Sequence, residues 1–170
     1  SELSAHYMEL IPSQDIVNEI SGPIVLKAVF THPMENGPVI NIDKPKDFGV
    51  IVQGNKKSIV DKLKKETIDG ADFYTAEYKF EEPGSYVFYI EPAPYWEASE
   101  KKMIIHYAKV IVDVFDSGEG WDEMAGLPVE IEPLARPFAL WTGNCFRGIA
   151  KKNGIAIPFA KIEVEYVNED

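Results

Sequence analysis

Three histidines are the only imidazoles in this 170-residue chain, and their placement makes metal ligation the chemistry to weigh first. Successive side chains along a strand point to opposite faces, so residues two apart share a face. In the run 24–32, Ile24, Leu26, Ala28, Phe30 and His32 form one apolar row, while Lys27 and Thr31 lie on the other side with Val25 and Val29. In the run 103–114, Ile104, His106, Ala108, Val110, Val112 and Val114 repeat the pattern, and Lys109 and Asp113 mark what reads as the wetter face. His32 therefore faces inward at the end of its strand, just before Pro33, which cannot extend a ladder. His106 faces inward near the beginning of its own. Two such strands, antiparallel or facing across a sandwich, bring both imidazoles to one end of the core. His6 opens a first extended segment, 6–11, with Met8 and Leu10 on its side, and can join them. A single inward histidine is more often a core residue bonded to a backbone carbonyl; three placed alike favour a site.

Imidazole suits Ni²⁺ and Co²⁺, and equally Zn²⁺ and Cu²⁺, so the residues do not name the ion. Three nitrogens leave positions for water, a carboxylate such as Glu97, or a partner protein. Glu97 ends the segment Glu91-Pro92-Ala93-Pro94-Tyr95-Trp96-Glu97, where the prolines stiffen a loop carrying two large aromatics. Trp96 there reads either as a plug over one end of a sandwich or as a surface that touches a ligand.

The elements that must hold these residues are strands. Runs at 24–31, 47–53, 73–80, 84–91, 103–114, 127–133, 146–151 and 160–167 are separated by turn signals, with no sustained helical period. Repeated strands at this spacing predict an all-β, immunoglobulin-like antiparallel β-sandwich. Residues 16–20 and 61–66 each allow a turn of helix, 54–57 reads as a polar turn, and Asn153-Gly154 is the strongest hairpin signal. The small, acidic, glycine-rich stretch 116–126 reads as a linker. It divides a sandwich domain, 1–115, from a partial second β unit, 127–170, which is too short to bury its own core and should dock on the first.

With 45% hydrophobic residues the chain can build a real core. Its 28 acidic against 17 basic residues give a formal charge of −11, which repels nucleic acid and anionic membranes and tolerates cations. The lone Cys145 excludes an internal disulfide, and its neighbours Trp141 and Phe146 point to a buried thiol. No GxSxG elbow, phosphate loop, dinucleotide fingerprint or HExxH pair is present, so the sequence gives no positive ground for an enzyme.

Several stretches, taken in order and spacing, carry a resemblance. They begin with Ala5-His6-Tyr7 and Ile11-Pro12-Ser13, Lys44-Pro45-Lys46 with Phe48-Gly49-Val50, and Pro83-Gly84 with Tyr86, Phe88-Tyr89, Glu91-Pro92 and Pro94-Tyr95-Trp96-Glu97. They continue through Ile104-Ile105-His106-Tyr107 and Lys109, Glu119-Gly120-Trp121, Pro133-Leu134, Arg136-Pro137-Phe138, Gly143-Asn144 with Phe146, and Glu163-Val164-Glu165-Tyr166. Almost end to end, the chain resembles the periplasmic component of ABC-type cobalt and nickel transport systems, a group built on immunoglobulin-like sandwich domains. The resemblance implies an exported protein with Ala5-His6 near the mature amino terminus, and a carboxy-terminal continuation that can include a membrane anchor. It also implies a membrane transporter component as partner. His6, His32 and His106 match histidine positions of that pattern, whereas Cys145 stands where an aliphatic residue is expected.

The leading expectation is thus an extracytoplasmic Ni²⁺ or Co²⁺ binding component of an uptake system. A structural or adhesive sandwich without a ligand, and a carbohydrate- or peptide-binding module using Tyr95 and Trp96, are the competing ones.

Overall fold

The computed structural model describes residues 6–19, 22–33, 37–98, 100–165 and 167. Among them the strands are β1 (Tyr7–Pro12), β2 (Ile16–Val17), β3 (Ile24–Thr31), β4 (Asp47–Val52), β5 (Asn55–Ser58), β6 (Lys64–Ile68) and β7 (Ala71–Tyr78). There follow β8 (Gly84–Glu91), β9 (Tyr95–Glu97), β10 (Lys102–Ile104), β11 (Ala108–Val114), β12 (Val129–Pro133), β13 (Gly148–Lys152) and β14 (Ile155–Ala156). One sheet runs β1-β3-β7-β6, and the facing sheet runs β2-β11-β8-β4-β5. These orders reproduce the two sheets of an immunoglobulin sandwich, all pairs antiparallel except the short β2 beside β11. The all-β sandwich is as the strand spacing predicts.

Alternation builds the core. Leu26, Ala28 and Phe30 of β3, Phe48 and Val50 of β4, Phe88 and Ile90 of β8, and Val112 and Val114 of β11 are buried in one cluster between the sheets. Where many Ig domains carry a disulfide, this core relies on aromatics: Phe48 stacks on Phe88 at 6.4 Å, and Tyr78 meets Phe88 edge-on at 5.1 Å. Tyr86, near the start of β8, donates its phenol hydrogen to the Glu82 carbonyl at 2.8 Å. That is the tyrosine corner of this architecture, and it pins the connection between the two sheets. A side chain at Gly49 would collide with the Tyr89 phenol, which crosses β4 to donate to Asp47 at 3.0 Å.

Several local expectations are corrected. The run 103–114 is not one strand: the chain breaks at Ile105–Tyr107, between β10 and β11. Residues 54–57 are not a turn, because the reversal occurs at Gln53-Gly54, both with positive φ, and Asn55 already pairs with Val52. Ile16–Val17 forms a short strand rather than helix, and Ile20 lies outside the described residues. Residues 61–66 divide into a 3₁₀ turn at Val60–Lys62 and the strand β6. Cys145 is exposed, not buried. The alternating run 160–167 forms no strand among its described residues, and Tyr166 lies outside them. Asn153-Gly154 does make a tight hairpin, with φ of 50° and 78° as a type I′ turn requires.

The largest correction concerns the face of β11 that carries Lys109 and Asp113. It is not wet. Asp113 is 2% exposed, and its carboxylate accepts from the Ser85 hydroxyl at 3.1 Å. Residues 119–131 fold across this face, so that Ala125 and Leu127 pack with Ile51, Val87 and Tyr89 in a second apolar cluster. Both faces of β8 are thereby buried. At the centre Lys109 donates to Glu130 at 2.8 Å and to the Ile131 carbonyl at 2.9 Å. Glu130 also accepts the backbone N–H groups of Ala125, Gly126 and Leu127 at 2.6, 2.9 and 3.1 Å. Beyond it, β12-β13-β14 form a separate three-stranded sheet.

Replacing Glu130 with alanine strands a buried ammonium and three backbone donors, an arrangement that costs about 3–5 kcal/mol when one partner of a buried pair is removed. Calorimetry should show one transition for the parent, because the second cluster is shared between sandwich and C-terminal unit. For Glu130→Ala it should show a transition lowered by on the order of 10 °C. Two well-separated parental transitions would show that the C-terminal unit is energetically independent.

Candidate metal centre

Register brings the first two histidines together. In the antiparallel β1–β3 pair Tyr7 lies opposite Thr31, so the next step outward sets His6 opposite His32. Their rings are 4.1 Å apart between centroids. His6 also approaches Phe30 at 5.7 Å and Tyr95 at 6.5 Å, and its Nδ1 lies 3.5 Å from a Glu97 carboxylate oxygen. That separation is long for a hydrogen bond and short enough for electrostatic attraction. The prolines of the 91–97 loop and the β9–β10 hairpin carry Tyr95 and Glu97 back over this end of the core.

His106 arrives from the facing sheet, in the break between β10 and β11. Its ring lies 5.6 Å from Phe30 and 6.0 Å from Tyr7. Phe30 is therefore the hub: it touches His6, His106 and Tyr95, the last at 5.0 Å. His106 faces inward against Phe30 although it sits in a connection, and His32, half-buried, meets His6. A cavity of about 20 Å³, bounded by Met8, Phe30, Ile42, Pro92, Tyr95 and His106 among others, adjoins the ring. That is room for one water-sized or ion-sized guest. The Nδ1 of His106 is buried and has no hydrogen-bond partner among the described residues.

The arrangement is a cluster and not a closed coordination shell. Among the described residues no three His, Cys, Asp or Glu side chains are grouped as metal ligands. His6, His32 and Glu97 are brought into one neighbourhood, and His106 adjoins it, its ring against Phe30 and Tyr7 and its side chain hydrogen-bonded to the His6 backbone. Trp96, the alternate residue on β9, is 54% exposed on the side away from Tyr95 and Glu97. Tyr95, not Trp96, plugs the sandwich end. Two participants escaped the sequence reading. Phe30 appeared only as one of an apolar row, and Tyr7, which donates to Glu163 of the C-terminal segment, gave no signal because its partner lies 156 residues away.

Electrostatics favour neutral imidazoles. Burial lowers the His6 pKa, the neighbouring His32 lowers it further, and Glu97 opposes both. Burial also lowers the pKa of His106, against the opposing effect of the His6 backbone. Neutral imidazole is the form that binds metals.

A profile described as a domain of unknown function (DUF4198) matches residues 3–170. The chain belongs to the DUF4198 family. No curated protein and no solved structure matches it. Membership in DUF4198 thus fixes kinship along nearly the whole chain.

The lowered histidine values have a signed consequence. Below the ordinary pKa of 6.5 the unfolded chain takes up protons that folded His6 and His106 resist. Stability is therefore unaffected by these groups above about pH 6.5 and falls as pH drops from there through their lowered folded values. Urea unfolding at about pH 7.5 and about pH 5 should show a smaller acid loss for His106→Gln than for the parent. An equal loss would mean that His106 does not resist protonation.

Proposed function

We propose that this DUF4198 domain captures a divalent first-row transition ion, Ni²⁺ or Co²⁺, outside the cytoplasm and presents it to a membrane transporter. The observation that carries the reading is the gathering of the chain's three histidines at one end of the sandwich, His6 and His106 against Phe30 and His32 against His6. His6 and His32 supply adjacent nitrogens, Glu97 a carboxylate beside His6, and His106 an unpaired Nδ1 from the connection between β10 and β11. Ligation by all three histidines takes side-chain rotation about Phe30. Such an incomplete, adjustable donor set suits cargo that must be released again. Zn²⁺ and Cu²⁺ compete for the same imidazoles, Cu²⁺ with the higher intrinsic affinity.

A second reading has its own support: the ring contacts of His6 and His106 with Phe30 fit a ligand-free structural or adhesive sandwich module whose histidines are packed aromatics. A carbohydrate platform made of Tyr95 and Trp96 together has less, since Tyr95 is committed to Phe30 and Trp96 points away.

Isothermal titration with each of the four ions, on protein purified without an affinity tag, separates these readings. A ligand that binds only the native state adds roughly 2.7 kcal/mol at a hundredfold excess over Kd, so the melting temperature should rise with metal. His32→Ala and His106→Ala should each weaken binding by about tenfold or more. Affinity should also fall as pH drops below about 6.5. Unchanged affinity in both variants, or no heat with any ion, returns the domain to the structural reading.

A further inference from the structure

Charge is divided unevenly along this chain. Residues 133–162 contain Arg136, Arg147, Lys151, Lys152 and Lys161 and not one aspartate or glutamate. All 28 acidic residues lie elsewhere with the other twelve basic ones, so the remainder carries −16 while this stretch carries +5. The net −11 averages over that segregation.

The same stretch holds the most exposed large apolar side chains of the described residues outside 163–167. Trp141 is 84% exposed, Phe159 103% and Ile155 73%, with Leu134, Leu140, Phe146 and Ile162 also open to solvent. The turn carrying Trp141 is closed by its N–H donating to the Asn144 side chain at 2.8 Å, while the Asn144 N–H donates to the Trp141 carbonyl at 2.9 Å. The indole is thus held out on a fixed turn rather than on a frayed end. Phe159 sits in the Pro158-Phe159 turn with φ of 58°, and Ile155 follows the Asn153-Gly154 hairpin.

We propose that residues 133–162 form a face that docks on an anionic lipid bilayer. Cationic side chains interleaved with Trp, Phe, Ile and Leu are the composition that settles at a charged membrane surface, with Trp preferring headgroup depth. Attraction to anionic lipid acts within about 10 Å at 0.1 M salt, so charge close to the face is felt and charge farther off is screened. Lys151 pairs with Glu132 at 2.6 Å and Lys161 with Glu163, and Arg136 lies 3.8 Å from Asp116. Arg147 and Lys152 form no ion pair with any described residue. A second copy of the chain offers acidic surface too, but a rigid partner must match each projecting side chain. Side chains projecting from separate turns also enter a fluid interface more readily than they match a rigid one. The inference is independent of metal binding.

Flotation with vesicles of phosphatidylcholine alone, and with about a third phosphatidylglycerol, tests it. The parent should float with the anionic vesicles only, and 0.5 M salt should release most of it, since screening then acts within roughly 5 Å. Arg147→Gln and Lys152→Gln should each lower vesicle affinity by roughly fivefold. Trp141→Ser should lower it further while the melting temperature stays at the parental value, because the side chain is solvent-exposed. Equal binding to neutral vesicles, no flotation at low salt, or flotation indifferent to all three substitutions would overturn the proposal. So would sedimentation showing a dimer that the same substitutions dissolve, which would make the face an interface between copies.

Discussion

The buried pair of Lys109 and Glu130 decides how the molecule is assembled. A carboxylate that accepts one ammonium and three backbone N–H groups satisfies donors from two parts of the chain at once. Taken alone, a buried ion pair is a weak source of stability, because desolvation cancels much of the attraction. Its value here is geometric. It dictates where residues 125–131 cross β11, and this allows Ala125 and Leu127 to seal Tyr89 and Val87. Without that seal β8 would present an apolar row to water on its outer face. The three-stranded sheet and the turns beyond it inherit their positions from this one anchor.

The histidine cluster draws on a different constraint, the registers of two sheets that meet at Phe30. Because β1 and β3 pair residue for residue, His6 and His32 are neighbours as a matter of ladder arithmetic. His106 reaches them only because the chain leaves β10, kinks and enters β11 on the inward side. The cluster therefore serves two ends in tension. Burial beside Phe30 lowers the pKa values of His6 and His106, while ligation asks the rings to turn toward a common point.

How much of this was legible in the sequence follows from which interactions are local. Side-chain alternation is local, so the inward row of Ile24, Leu26, Ala28, Phe30 and His32 could be read directly, as could the Asn153-Gly154 turn. Whether an alternating run finds a partner is not local. Residues 55–58 look polar enough for a turn yet pair with β4, because an edge strand tolerates solvent on its faces. The run 160–167 alternates properly, yet its described residues join no sheet. Lys109 and Asp113 read as solvent-facing because their cover arrives from residues 119–131, whose glycines and acids look like a linker. Cys145 lies beside Trp141 and Phe146, but those aromatics are themselves exposed, so proximity in sequence gave no burial. For the candidate site, the orientation of the histidines was readable, while the hub role of Phe30 needed the facing sheet.

The short parallel strand β2 has a consequence for how the chain acquires its shape. Ile16 and Val17 pair with Asp113 and Val114, almost a hundred residues later. The two halves of this sandwich therefore cannot close before residues 113–114 have been made, and loop-closure entropy must be met before these contacts contribute. Topologies dominated by such distant pairings fold in milliseconds to seconds rather than microseconds. During that interval β8, among the most apolar strands of the chain, waits for β11 with an open edge. An exposed edge of this kind is where strands from different chains join. The acidic excess of the sandwich, which does little for the finished fold, keeps such half-built chains apart by mutual repulsion.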